Sequence, residues 1–116
     1  MSYPKLAQLV QKLATSTEYG AIDWARTEKP NYFQASLAEY SVRIALTNPA
    51  RGDYLLQILD PFGDTVEEVT DDQLVQLLPN ATAIMKDLYD VARRKVMGVE
   101  DALDAILKQL DDEMPF

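Results

Sequence analysis

The chain has 116 residues and a mass of 13.1 kDa, with 19 acidic and 11 basic side chains, a net charge of −8, no cysteine and no histidine. This length fits one domain and argues against a two-domain enzyme with a cleft between its domains. The composition excludes disulfides, thiolate nucleophiles and Cys-type zinc sites, and it removes the commonest general base and metal ligand.

The N-terminal half predicts a helix followed by strands. Apolar residues at helical spacing predict a helix over residues 4–16, and its apolar face is formed by Leu6, Leu9, Val10 and Leu13. Period-two alternation then predicts five strands, over residues 22–25, 33–37, 40–47, 54–59 and 65–69. The connections are short, which favours sequential antiparallel pairing in a meander. Asp60 and Gly63 have the spacing of a tight turn.

Helical periodicity returns after residue 70. A short helix over residues 71–78, capped by Thr70 or Asp71, a long helix ending at Gly98 and a last helix ending at Leu110 are predicted. The acidic tail, residues 111–116, is expected to be frayed. The sequence therefore predicts a single α+β domain over residues 1–116: an N-terminal helix, a five-stranded antiparallel meander, and C-terminal helices packed on one face of the sheet.

Charge argues against nucleic acid as a partner. Residues 60–116 contain five basic and fourteen acidic side chains, and a phosphate backbone would be repelled by this half. The single basic cluster is Arg93-Arg94-Lys95, whose side chains point in different directions around a helix. Arg94 is expected to pair with Asp90, one turn earlier. Lys95 falls on the apolar stripe of this helix, so its ammonium must extend past the stripe to solvent or contact a carboxylate.

Clustered carboxylates are the remaining route to acid–base or metal chemistry. They are Asp60, Asp64, Glu67, Glu68, Asp71 and Asp72. A glycosidase needs two carboxylates across a sugar-sized groove, and a calcium loop needs glycine at its sixth position, which this segment lacks. Asp60 fits a turn and Asp71 a helix cap. We therefore expect no enzyme, no catalytic residue, no cofactor and no metal.

An open sheet face is the feature that suggests a protein partner. Helices on one side of the sheet leave the other side uncovered, and some of Leu55, Leu59, Phe33 and Val69 must point there. Trp24 and Tyr89 fit either the core or an interface. The candidate interaction residues are Trp24, Leu55, Leu59, Tyr89, Arg93 and Arg94.

Several short motifs resemble a group of small uncharacterised bacterial proteins. They are Thr17-Glu18-Tyr19-Gly20-Ala21-Ile22-Asp23-Trp24, which fits T-x-x-G-x-I-x-W, then Tyr40-Ser41-Val42-Arg43-Ile44, Asp60-Pro61-Phe62-Gly63 and Leu88-Tyr89-Asp90-Val91-Ala92-Arg93-Arg94 with Gly98-Val99. The resemblance implies a bacterial or phage origin and a helix–meander–helix layout. It implies no catalytic residues.

The sequence contains no targeting signal and no apolar run long enough to span a bilayer, so we expect a cytoplasmic protein without a membrane partner. The function that we expect is a non-enzymatic protein-interaction module whose partner is a second copy, giving a homodimer. The alternative is an acidic inhibitor, an antitoxin or immunity protein, that blocks a basic nuclease-type partner with the helices after residue 70. A carboxylate-dependent enzyme is the third possibility.

Overall fold

The computed structural model describes residues 3–113. Its elements in chain order are α1 (Tyr3–Glu18), β1 (Ala25–Arg26), β2 (Tyr32–Leu37), β3 (Tyr40–Asn48), β4 (Asp53–Leu59), β5 (Thr65–Thr70), α2 (Asp71–Leu74), α3 (Ala81–Met97) and α4 (Val99–Glu113). The strands form one antiparallel sheet in the order β1-β2-β3-β4-β5. The predicted α+β class is confirmed, with an N-terminal helix, a five-stranded antiparallel meander and C-terminal helices packing against the sheet.

The core lies between the sheet and the helices. α3 crosses one face of the sheet in contact with β2, β3 and β4, and α1 packs beside α3. Alternate residues of the strands point into this layer because side chains of a strand alternate between its two faces. The most deeply buried large side chains of the core are Ile44, Leu56, Leu74, Met85, Leu88, Val10 and Val69.

The predicted first strand is wrong in its position. β1 covers only Ala25–Arg26, whereas Ile22 and Trp24 lie in an irregular segment and are buried. The indole N–H of Trp24 donates a hydrogen bond of 3.0 Å to the Thr17 hydroxyl, which ties this segment to α1. The alternation of Ile22 and Trp24 therefore reflects burial beneath a helix and not pairing in the sheet.

Local signals correctly predict the start of α2 and the end of α3, but not the ends of α2 and α4. Thr70 caps α2 in a capping box with Gln73, and Gly98 ends α3 in the left-handed conformation, at φ 64° and ψ 38°. α2 ends at Leu74, earlier than predicted, although Leu78 beyond it is buried. α4 continues to Glu113, so three residues of the predicted acidic tail are helical, and the rest of that tail lies outside the described residues.

Within residues 3–113, no helix is both long and apolar enough to cross a membrane.

Candidate protein-interaction surface

α4 carries an apolar stripe that the rest of the described chain leaves uncovered. The stripe repeats at i, i+3, i+4 and i+7, the pattern that normally faces a core. Ile106 is 58% exposed and Leu107 is 57% exposed, and α4 contains no buried residue. The stripe consists of Val99, Ala102, Leu103, Ile106, Leu107 and Leu110.

The turn between α3 and α4 explains why the stripe is free. Gly98 adopts a positive φ, which a residue with a side chain rarely adopts, and α4 begins at the next residue in a new direction. Arg94 on α3 donates a 2.6 Å hydrogen bond to Glu100 on α4 across this turn. The substantial contacts of α4 are with α3. At about 1.5 Å per residue, α4 is about 22 Å long.

The polar sides of α4 are acidic. The helix contains six acidic side chains and one basic side chain, Lys108, a net charge of −5. Glu100, Asp104 and Asp111 follow one another at spacings of four and seven residues, which places them along one border of the stripe. α4 therefore presents an apolar surface with an acidic border.

The open face of the sheet is more polar than the sequence suggested. Gln34, Arg43, Gln57 and Glu68 are register partners in one row across β2 to β5. Arg43 Nε donates to Gln34 Oε1 at 2.7 Å, and Gln57 Nε2 donates to Glu68 Oε2 at 3.1 Å. This hydrogen-bonded row divides the face, so it does not present one continuous apolar surface.

The leucines assigned to the open face do lie there, but little of them is accessible. Leu59 pairs with Ser41 in β3 and is only 6% exposed, and Leu55 is half-buried between Ala45 and Thr70. Phe33 and Val69 point to the other side and belong to the core beneath the helices. Compared with α4, the open face offers a partner little apolar area.

Two of the candidate interaction residues are core residues. Trp24 is 6% exposed, and Tyr89 is 4% exposed and packs against Phe33 and Tyr54 at ring-centroid distances of 5.5 and 5.8 Å. Both aromatic rings fill the layer between sheet and helices, so neither is presented to a partner. The core interpretation is the correct one for both residues.

The basic cluster of α3 is divided among several contacts. Lys95 Nζ donates to the Ile22 carbonyl at 2.7 Å and lies 3.3 Å from Asp23 Oδ1, so of the two outcomes predicted for it, the contact with a carboxylate is observed. The predicted pairing of Arg94 with Asp90 is wrong. Asp90 accepts a 2.7 Å hydrogen bond from Lys86, which raises the pKa of that ammonium, and the α3–α4 turn brings Glu100 to Arg94 instead. Arg93 is exposed.

Two of the carboxylates that the sequence offered for catalysis, Asp60 and Asp71, have structural roles. Asp60 Oδ1 accepts hydrogen bonds from the backbone N–H groups of Phe62 and Asp64, both at 2.9 Å, as its predicted turn requires. Asp71 was interpreted as a helix cap, but Thr70 is the cap, and Asp71 is a buried carboxylate. Among residues 3–113, no group of acidic side chains has a geometry that could hold a metal ion.

A polar cavity of about 570 Å³ lies at the β1 edge of the open face. Its Arg43 guanidinium is held by Glu28 through two contacts, of 3.0 and 3.3 Å. A backbone hydrogen bond and the Arg43 guanidinium lower the pKa of the Glu28 carboxyl. The Arg43 side chain is thus engaged by Glu28 and Gln34 within the protein, and sequence reasoning did not find this cluster because Glu28 and Arg43 are fifteen residues apart.

Comparison with known proteins adds no relative: no protein-family model, curated protein or solved structure matches the chain.

Proposed function

We propose that the protein is a non-enzymatic protein-interaction module and that α4 is its docking element. The observation that carries this proposal is the uncovered apolar stripe of α4. Monomeric proteins rarely expose contiguous apolar patches larger than a few hundred Å² unless these patches bind something. An amphipathic helix that inserts its apolar face into a groove is a common mode of protein recognition.

The acidic polar face of α4 favours a protein over a lipid surface. Helices that lie on membranes carry lysine and arginine on the polar face, which attract anionic headgroups. α4 carries six acidic side chains and one basic side chain, and the headgroups would repel it.

A second copy of this chain is the partner that the sequence predicts, and α4 offers it an interface. An antiparallel pair of α4 helices would align Leu103 with Leu110 and Ile106 with Leu107. The homodimer stays a prediction: through α4 its interface would be this stripe and not the polar open face of the sheet, and the net charge of −5 on each α4 opposes it.

The test is affinity capture from cells of the source organism with three full-length baits. They are the wild type, the stripe variant Ile106→Ser plus Leu110→Ser, and the control Ala105→Ser, which introduces the same residue on the side of α4 away from the stripe and leaves the charge unchanged. Captured proteins are identified by mass spectrometry and tested again as purified proteins.

We expect the wild type and the control to capture a partner protein or a second copy of the chain. The stripe variant should capture much less of it. Each stripe side chain contributes about 1.5–3 kcal/mol when it is fully buried, so the double variant should bind more than about tenfold more weakly. Equal capture by all three baits would contradict the proposal.

A further inference from the structure

We infer that the partner of α4 is a different protein whose docking surface is cationic: an apolar groove or helix face bordered by lysine and arginine. This inference rests on the proposed function and names the chemistry of its partner. It is carried by the arrangement of charge around the stripe, by the exposure of α4 on all sides, and by the area that the stripe offers.

Among residues 3–113, the acidic border of the stripe is ion-paired at one end only. Glu100 is paired with Arg94 at 2.6 Å. Within residues 3–113, neither Asp104 nor Asp111 forms an ion pair, although Lys108 lies one turn from each of them on the side of the helix opposite Val99. A partner that buries the stripe brings its own rim beside Asp104 and Asp111, and a cationic rim is the complementary one.

Charge disfavours a second copy as the occupant. Each α4 carries a net charge of −5, and acidic residues stand at both ends of the helix. A parallel pair would place Asp104 beside Asp104, and an antiparallel pair would place Glu100 and Asp101 near Asp112 and Glu113. Both arrangements bring like charges together as the stripe is buried, which opposes association.

The area of the stripe also favours a groove over a single facing helix. A standard stable interface buries about 800 Å² on each partner, whereas the stripe is one narrow row of six side chains along a single helix. Since no residue of α4 is buried, a groove can contact the helix on the stripe and on both of its borders. The acidic border then becomes part of the interface.

The experiment titrates fluorescent helical peptides with the full-length protein and measures anisotropy. The first probe is an amphipathic peptide of leucine and lysine with its leucines in one stripe. The second has the same pattern with glutamate in place of lysine, and the third has the leucine and lysine residues scrambled so that no stripe forms. We expect the first peptide to bind more tightly than the other two, with an affinity that falls as salt is raised.

Three variants separate stripe, border and overall charge. The stripe variant Ile106→Ser plus Leu110→Ser should weaken binding of the leucine–lysine peptide more than about tenfold. Asp104→Asn plus Asp111→Asn should weaken it about threefold to tenfold. The control Glu39→Gln plus Asp64→Asn removes two charges from exposed hairpin turns and should leave binding unchanged.

Equal weakening by the control and the border variant would overturn the inference, because it would show attraction to net charge alone. Tighter binding of the glutamate peptide would overturn it as well. A mass of two chains in light scattering, lost in the stripe variant, would show that a second copy covers α4. That result would overturn the inference but leave the proposed docking role of α4 intact, whereas a stripe variant that behaves as wild type in every assay would contradict both.

Discussion

Asp71 is a buried carboxylate that connects three elements of the fold. Its side chain is 3% exposed, and it accepts hydrogen bonds from the Tyr54 backbone N–H at 3.1 Å and from the Thr82 hydroxyl at 2.6 Å. It thereby joins β4, the start of α2 and the first turn of α3. A buried carboxylate with such partners is a structural group, and its removal leaves a buried donor without an acceptor.

We expect Asp71→Ala to lower the free energy of unfolding by about 1–3 kcal/mol, because the Tyr54 N–H loses its acceptor. The neighbouring Asp72→Ala is the matched control, since Asp72 is exposed, and it should change stability by less than about 0.5 kcal/mol. Urea unfolding followed by circular dichroism measures both. Equal effects of the two substitutions would mean that the Asp71 contacts do not stabilise the fold.

Tyr54 and Tyr89 make stability depend on pH in the alkaline range. Burial raises the pKa of both hydroxyls above the usual tyrosine value. Above about pH 10 the unfolded chain therefore loses protons that the folded chain keeps, and the free energy of unfolding falls as pH rises. The Lys86 ammonium, whose pKa is raised by its hydrogen bond to Asp90, acts in the same direction.

Comparison of variants isolates the tyrosine contribution. We expect Tyr54→Phe to show a shallower loss of stability than the wild type between about pH 8 and pH 11, measured as the urea midpoint. Tyr40→Phe, on a ring that is 49% exposed, is the control and should follow the wild type. A Tyr54→Phe curve parallel to that of the wild type would contradict the assignment.

The sequence predicted the role of a side chain where its hydrogen-bond partners lie close to it along the chain, and not where they lie far away. Asp60 was recognised as a turn residue because the N–H groups that donate to it lie within four positions. Lys95 was expected either to extend past the apolar stripe or to meet a carboxylate, because the helical pattern placed it on that stripe. Asp71 was misread, since its partners Tyr54 and Thr82 are 17 and 11 positions away. Contacts of that kind depend on how the elements pack, which periodicity does not describe.

At the scale of elements, α3 and α4 have similar amphipathic sequences, but only α3 is packed against the sheet. Both are amphipathic, yet α3 buries Met85, Leu88 and Ala92 against the sheet, and α4 buries nothing. Helical spacing of apolar residues predicts that a helix has an apolar face, but it does not predict which part of the fold or which partner buries that face. The antiparallel meander, by contrast, follows from short connections and local turn chemistry, and for this reason the sequence predicted it, although the first strand was misplaced.

The free stripe of α4 has a consequence for stability. Ile106→Ser plus Leu110→Ser should change the free energy of unfolding of the isolated chain by less than about 1 kcal/mol, because both side chains are exposed. Leu88→Ala, a truncation of similar chemistry in the core, should cost about 2–5 kcal/mol. Thermal and urea unfolding measure both. A large loss in the stripe variant would show that α4 is packed in solution.

At the scale of the whole molecule, the distribution of charge opposes nucleic acid. Lys95 and Arg94 are engaged by Asp23 and Glu100, and α4 adds a net charge of −5 beside them. In anisotropy titrations with labelled duplex DNA, single-stranded DNA and RNA at physiological salt, we expect no binding below about 100 μM. Salt-dependent micromolar binding that is lost on Arg93→Ala plus Arg94→Ala would contradict this expectation.

The docking role of α4 is tested most directly by site-specific photo-crosslinking in living cells. A benzophenone side chain replaces Ile106, on the stripe, or Lys108, about 200° away around the same helix. We predict that irradiation links the chain with the probe at position 106 to one defined protein, and that the probe at position 108 gives little of this product. No adduct at position 106, or the same adducts from both positions, would contradict the account.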